Sequence, residues 1–137
     1  MTSTEAPPPT GDELPPPSQE SKLKATCHCG RVTVELPSKP EKLNECRCTV
    51  CYKYGAIWGY FQRDTVTVTA AEGASIVPYV RTDSDGDISF NRCSHCGCMT
   101  NWWGVGQYSG PKERMGVNCR QLPEKEIEGI PRKVSYC

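Results

Sequence analysis

Eight of the ten cysteines in this 137-residue chain fall in three short turns. They are Cys27-His28-Cys29-Gly30, Cys46-Arg47-Cys48-Thr49-Val50-Cys51 and Cys93-Ser94-His95-Cys96-Gly97-Cys98. No other feature restricts the fold as strongly. Cysteines one or two residues apart bring their sulfurs to one point from a tight turn, which is what a tetrahedral metal site needs. They are badly placed to pair with each other, because a disulfide demands Cα separations and dihedrals that so small a ring meets only under strain. Zinc is therefore the first reading. Iron–sulfur sites come second, since thiolates suit them but Cys-x-Cys fits their common spacings poorly. A disulfide framework comes last, for reasons of compartment given below.

Eight clustered thiolates could make two sites of four ligands, or one site of four and one of three. Spacing favours the second. A structural zinc usually joins two knuckles that each give two ligands, clamping distant segments. Cys27 with Cys29, and Cys93 with Cys96, form such a pair. Cys46, Cys48 and Cys51 then come from one loop, and three protein ligands leave a position for water or substrate, as in catalytic zinc sites. Cys98 is a further candidate ligand, able to complete the second site or to point elsewhere. His28 and His95 sit between cysteines that already bind, so their side chains are expected to leave the turns on another side. Cys119 is expected to be a small buried residue in a strand, and Cys137 an exposed thiol without function.

The segment 1–21 reads differently from 22–137. It carries Pro7, Pro8, Pro9, Pro15, Pro16 and Pro17 among Ser, Thr, Glu and Gln, with little apolar surface to offset the entropy of ordering. It is expected to be a disordered proline-rich leader, with polyproline II character and a docking role as the less favoured alternative. It lacks an apolar h-region, so it does not read as a secretory signal. No stretch approaches the ~18 apolar residues of a membrane span. The expectation is a cytoplasmic, reducing setting, where cysteine clusters signal metal or catalysis. The formal net charge is zero and no basic block stands out, so neither nucleic acid nor membrane is expected as a partner.

From residue 22 onward, short β-type runs recur between turn residues. Arg31–Leu36 alternates, with Val32, Val34 and Leu36 on one face and Pro37 and Pro40 beyond it. Strands are expected at Leu23–Thr26, Ala56–Phe61, Thr65–Thr69, Ile76–Arg81, Asp87–Arg92 and Arg114–Arg120. Pro78 makes Ile76–Arg81 an edge strand or an irregular one. Asp85-Gly86 is a hairpin signal. Single helical turns are expected at Thr49–Tyr54 and Leu122–Glu128. The sum is one mainly β domain with zinc knuckles at the ends of hairpins.

Cys27-x-Cys29-Gly30, Cys46-x-Cys48-x-x-Cys51 and Cys93-x-x-Cys96-Gly97, in this order, resemble the glutathione-dependent formaldehyde-activating enzyme family, which also contains centromere protein V. Tyr54-Gly55-Ala56, Phe90-x-Arg92 and Arg114-Met115-Gly116-Val117-Asn118 extend the likeness across roughly Lys22 to Val134. The resemblance implies a β-tent fold and two zincs per chain. One is structural, on Cys27, Cys29, Cys93 and Cys96. The other is catalytic, on Cys46, Cys48 and Cys51. It also implies a carbon–sulfur lyase activity: the reversible addition of glutathione to formaldehyde, giving S-hydroxymethylglutathione. The expected partners are thus a small thiol such as glutathione and a small aldehyde. The alternative is a non-catalytic zinc-binding module acting through protein contacts, favoured if Cys98 closes the second site.

Three thiolates around Zn²⁺ carry a formal charge of −1, which suits the site to a fourth thiolate held as a nucleophile. Arg47 and Lys53 flank the middle cluster and are candidates to offset that charge or hold a substrate carboxylate, with solvated surface as the plainer reading. Trp58, Tyr60, Trp102 and Trp103 are candidates for a pocket wall, with core packing the more ordinary role.

Overall fold

A computed structural model describes residues 23–83 and 86–136. The proline-rich leader, Asp85 of the hairpin signal and Cys137 lie outside the described residues. Among the described residues no helix is long and apolar enough to cross a membrane.

The expectation of a mainly β domain is borne out. Among the described residues ten strands form two sheets. The small sheet is antiparallel and runs β1 (Leu23–Thr26), β2 (Val32–Leu36), β5 (Thr67–Ala70), with β2 central. The large sheet contains β3 (Leu43–Cys46), β4 (Trp58–Gln62), β6 (Ile76–Val80), β7 (Ile88–Cys93), β8 (Met99–Gly104), β9 (Arg114–Asn118) and β10 (Arg132–Ser135). Its order is β10-β3-β4-β9-β8-β7-β6. All its pairs are antiparallel except β10 with β3, which run parallel with Ser135 against Cys46. A short helix, α1 (Thr49–Tyr54), follows β3.

Strand periodicity sends alternate side chains to opposite faces of the large sheet. On one face Met115, Val117, Leu43 and Ile57 meet Ala25, Val34 and Leu36 of the small sheet in the main core. On the other face Trp58, Phe90, Met99 and Ala56 pack around Cys46 and Cys51. Cys27, Val32 and Cys93 form a third buried group at the margin between the sheets. The first and third cysteine clusters therefore meet where the two sheets adjoin, while the middle cluster sits on the opposite face of the large one.

Pro78 lies on the edge strand β6, as expected, because an edge tolerates the missing N–H. Other boundaries moved. The strand placed at Ala56–Phe61 begins at Trp58, and the one placed at Thr65–Thr69 begins at Thr67 after a 3₁₀ turn at Arg63–Thr65. Arg114–Arg120 is a strand only to Asn118. Cys119 is buried as expected but opens a 3₁₀ turn, Cys119–Gln121. The turn expected at Leu122–Glu128 shrinks to Glu124–Glu126.

Candidate metal centres

Cys27 follows the end of β1 and Cys93 closes β7, each at the start of a knuckle. In the first knuckle Gly30 N–H donates to Cys27 O at 3.0 Å, and in the second Gly97 N–H donates to Cys93 O at 3.0 Å. Gly30 and Gly97 take φ of 82° and 81°, which a side chain would resist, so the glycine after each Cys-x-Cys or Cys-x-x-Cys is what lets the turn close. The sulfurs of Cys27, Cys29, Cys93 and Cys96 all lie within 4.8 Å of one another. Cys29 Sγ stands 3.6 Å from both Cys27 Sγ and Cys93 Sγ. Zinc–sulfur bonds of ~2.3 Å set a tetrahedral edge of about 3.8 Å, so the four sulfurs fit one ion.

Backbone amides face these sulfurs. Val32 N–H donates to Cys27 Sγ at 3.3 Å, and His95 and Cys96 N–H donate to Cys93 Sγ at 3.3 and 3.5 Å. Such donors favour thiolate over thiol. Burial pushes Cys29 up, but hydrogen bonds from the Arg31 amide and guanidinium outweigh it and hold the thiol at about 5. Burial likewise opposes ionisation of Cys96, yet amide donors bring it to about 7. Burial dominates at Cys27, pushed up to about 11. Cys98 belongs to neither convergent group. It packs beside this cluster, and its N-terminal neighbour knuckle closes on it through Cys93 N–H to Cys98 O at 3.0 Å. His28 and His95 are exposed, and His95 Nδ1 pairs with Arg31 Nη1 at 3.2 Å instead of joining the sulfurs.

The middle cluster is assembled by a strand end and a helix start. Cys46 closes β3, Cys48 precedes α1, and Cys51 lies in its first turn. Gly55 ends the helix in the left-handed region at φ 69°, its N–H donating to Cys51 O at 3.0 Å. The sulfurs of Cys46, Cys48 and Cys51 lie within 4.8 Å of one another, with Cys46 and Cys51 buried and Cys48 partly exposed. Each of the three binds a metal only as the thiolate.

Two side chains from distant strands face the sulfurs here. Arg81, just beyond β6, places Nη1 3.9 Å from Cys48 Sγ. The buried Trp58 Nε1 has no oxygen or nitrogen partner and faces Cys51, whose ionised form it favours. An orphaned indole N–H beside a sulfur fits a thiolate bound to a metal better than a neutral thiol. Burial still pushes Cys51 up to about 12, while at Cys48 burial is outweighed by amide and Arg81 hydrogen bonds and the thiol is lowered.

Beside the cluster a groove of about 400 Å³ is lined by Thr49, Val50, Lys53, Tyr54, Tyr79 and Asp83. Lys53, one of the two flanking cations, stands on its wall. Arg47, the other, is committed to Glu45 at 2.6 and 2.9 Å and stacks 5.9 Å over Tyr52. Trp58 and Tyr60 meet Trp102 edge-on at centroid distances of 6.5 and 6.2 Å, so these three aromatics form the packed floor under the cluster. Trp103 faces the other way, under the guanidinium of Arg63 at 4.2 Å. Arg81 and Asp83 had no sequence signal: they follow a proline-bearing edge strand more than thirty residues from the cysteines they approach.

The fold and these two groups define a class: a small β protein with two separate cysteine clusters that could hold metal ions, a donor set consistent with zinc. The chain belongs to the glutathione-dependent formaldehyde-activating enzyme family, whose model matches residues 22–124. It is similar in structure to a Rhodobacter sphaeroides protein of known crystal structure, with a TM-score of 0.62 and 25% sequence identity. The match covers 81% of this chain and 100% of that one. No curated protein matches the chain.

Proposed function

We propose that the protein is a zinc-dependent carbon–sulfur lyase-type enzyme that makes and breaks the adduct of a small thiol, glutathione foremost, with formaldehyde or a similar small electrophile. Family membership supports glutathione- and formaldehyde-related chemistry. The observation that carries the finer reading is the contrast between the two clusters: four sulfurs converge at one and three described sulfurs at the other. Cys98 packs beside the four-sulfur group, so it is not a fourth described ligand for the three.

Cys27, Cys29, Cys93 and Cys96 would hold a structural zinc, and Cys46, Cys48 and Cys51 a catalytic one. Bound there, zinc supplies a coordination position that keeps a substrate thiol ionised at neutral pH. The chain's own residues do the rest. The aromatic floor of Trp58 and Trp102 holds the loop rigid and keeps water from its inner side. The groove along α1 offers Val50, Tyr54 and Tyr79 to the body of a peptide thiol, and Lys53 to a carboxylate. In the forward direction the thiol sulfur bonds to the carbonyl carbon, the carbonyl π bond breaks, and the proton lost from sulfur ends on oxygen. Holding both reactants side by side replaces a bimolecular encounter by a local one.

Turnover of the zinc-loaded protein with glutathione and formaldehyde, followed by NMR of the hydroxymethyl carbon, tests this reading. The expected result is exchange between free formaldehyde and adduct well above the uncatalysed rate, abolished in Cys48→Ser. Exchange at the uncatalysed rate with glutathione and with every small aldehyde tried would leave the binding-module alternative standing.

A further inference from the structure

We infer that Arg81 is a positioning residue for the middle metal centre: its guanidinium, oriented by Asp83, caps the sulfur of Cys48 and so sets how tightly that centre holds its metal. The inference rests on the reading of Cys46, Cys48 and Cys51 as a metal site.

The geometry is that of a clamp, not of a stray surface ion pair. Arg81 Nε and Nη2 donate to the two oxygens of Asp83 at 2.6 and 3.1 Å, a bidentate fork that fixes the plane of the guanidinium. The remaining edge is turned toward the metal loop, with Nη2 3.4 Å from Thr49 Oγ1 and Nη1 3.9 Å from Cys48 Sγ. Thr49 Oγ1 in turn donates to Asp83 Oδ2 at 3.5 Å. The side chain of Arg81 is only 20% exposed, whereas that of Asp83 is 59% exposed. An exposed pair with no third partner would contribute little. Here the cation is drawn inward, onto the one sulfur of the trio that is not buried.

The two clusters also differ in where their N–H donors come from. At the four-sulfur site most donors are amides of the knuckles themselves, so they form whenever the turns form. At the three-sulfur site the loop's own amides of Val50 and Cys51 face Cys48, and two side chains are added from elsewhere in the large sheet: Arg81, just beyond β6, and Trp58 of β4. Three thiolates overbalance a divalent ion by one negative charge. A guanidinium donor on one of them withdraws electron density and offsets that charge, as outer partners of metal ligands generally do, with effects of ~10–100-fold on affinity. Lysine cannot replace it fully, because an ammonium lacks the planar fork that engages Asp83 and Cys48 at once.

The test uses the full chain, reduced and loaded with zinc or with cobalt(II), in Arg81→Met, Arg81→Lys and Asp83→Asn. Zinc affinity at each centre is read by competition with a chromophoric chelator, and the cobalt–thiolate charge-transfer band is read by absorption. Arg81→Met is expected to weaken the weaker-bound zinc by about 10-fold or more and to move the cobalt band to lower energy. The tighter zinc and the melting temperature should stay unchanged. Arg81→Lys should recover part of the affinity, and Asp83→Asn, at an exposed position, should lose part of it. If Arg81→Met and Asp83→Asn keep wild-type affinity and wild-type bands, Arg81 is ordinary surface and the inference is overturned. A reduced wild-type chain that takes up one metal only overturns the metal reading itself, and the role of Arg81 with it.

Discussion

At the residue scale, the cysteines divide by what surrounds them, and substitutions should separate them. Cys93→Ser removes a buried sulfur from the group that joins the small sheet to the large one. The free energy of metal binding is lost from folding, so the variant should be insoluble or lack the wild-type circular dichroism spectrum. Cys48→Ser touches a partly exposed sulfur on a local loop. It should keep the wild-type spectrum, lose one zinc by metal analysis, and lose activity by more than about 100-fold, the upper end of what even an outer partner contributes. An unfolded Cys48→Ser beside a folded, inactive Cys93→Ser would reverse the assignment of the two sites.

At the element scale, β9 explains why Arg114-Met115-Gly116-Val117-Asn118 is a unit. Met115 and Val117 fill the main core, and Gly116 lies flat under the Trp102 ring, where a Cβ would overlap the indole nitrogen. Gly116→Ala must push Trp102 off Trp58 and Tyr60, and overpacking of this kind costs ~1–3 kcal/mol. Urea unfolding should report that loss, with a shift in tryptophan fluorescence. Asn118 ends the strand by accepting from Ile57 N–H at 3.3 Å and Arg120 N–H at 3.2 Å while donating to Met99 O at 2.9 Å. Asn118→Ala leaves a buried amide and a buried carbonyl without partners, each worth ~1–3 kcal/mol. A drop in stability below 1 kcal/mol in denaturant titrations would show that water replaces the side chain.

The strands that sequence reasoning found and those it missed differ for a physical reason. Val32, Val34 and Leu36 alternate because β2 has one face on the core and one toward solvent, so its pattern is local. β3 has one large apolar residue, Leu43, ahead of Asn44, Glu45 and Cys46. β10 is an edge with Arg132 and Lys133 exposed, and it exists only because β3 offers it hydrogen bonds. In β8, Thr100 and Asn101 are both buried, satisfied in part by each other and by Asn91 O. A strand of buried polar residues has no apolar alternation to read.

At the scale of the whole molecule, one cysteine group lies at the margin between the sheets and the other on the far face of the large sheet. Chelation should therefore proceed in two stages. A chromophoric chelator should first take one zinc with the circular dichroism spectrum unchanged. It should take the second only as the spectrum collapses, since that ion holds the small sheet in place. Loss of structure in step with the first zinc would put the staple at the wrong cluster.

The clustered cysteines, their grouping into a pair of knuckles and a single loop, the β class and the family were all written in the chain. They depend on spacings of a few residues and on period-two alternation, which are local properties. What surrounds the ligands was decided only in three dimensions. Arg81 meets Cys48, Trp58 meets Cys51, and Cys98 turns away from the loop it might have closed, because strands far apart in sequence become neighbours in one sheet. No local pattern encodes those meetings. They follow from which strand edge pairs with which, and that is settled by burying the whole set of apolar faces at once.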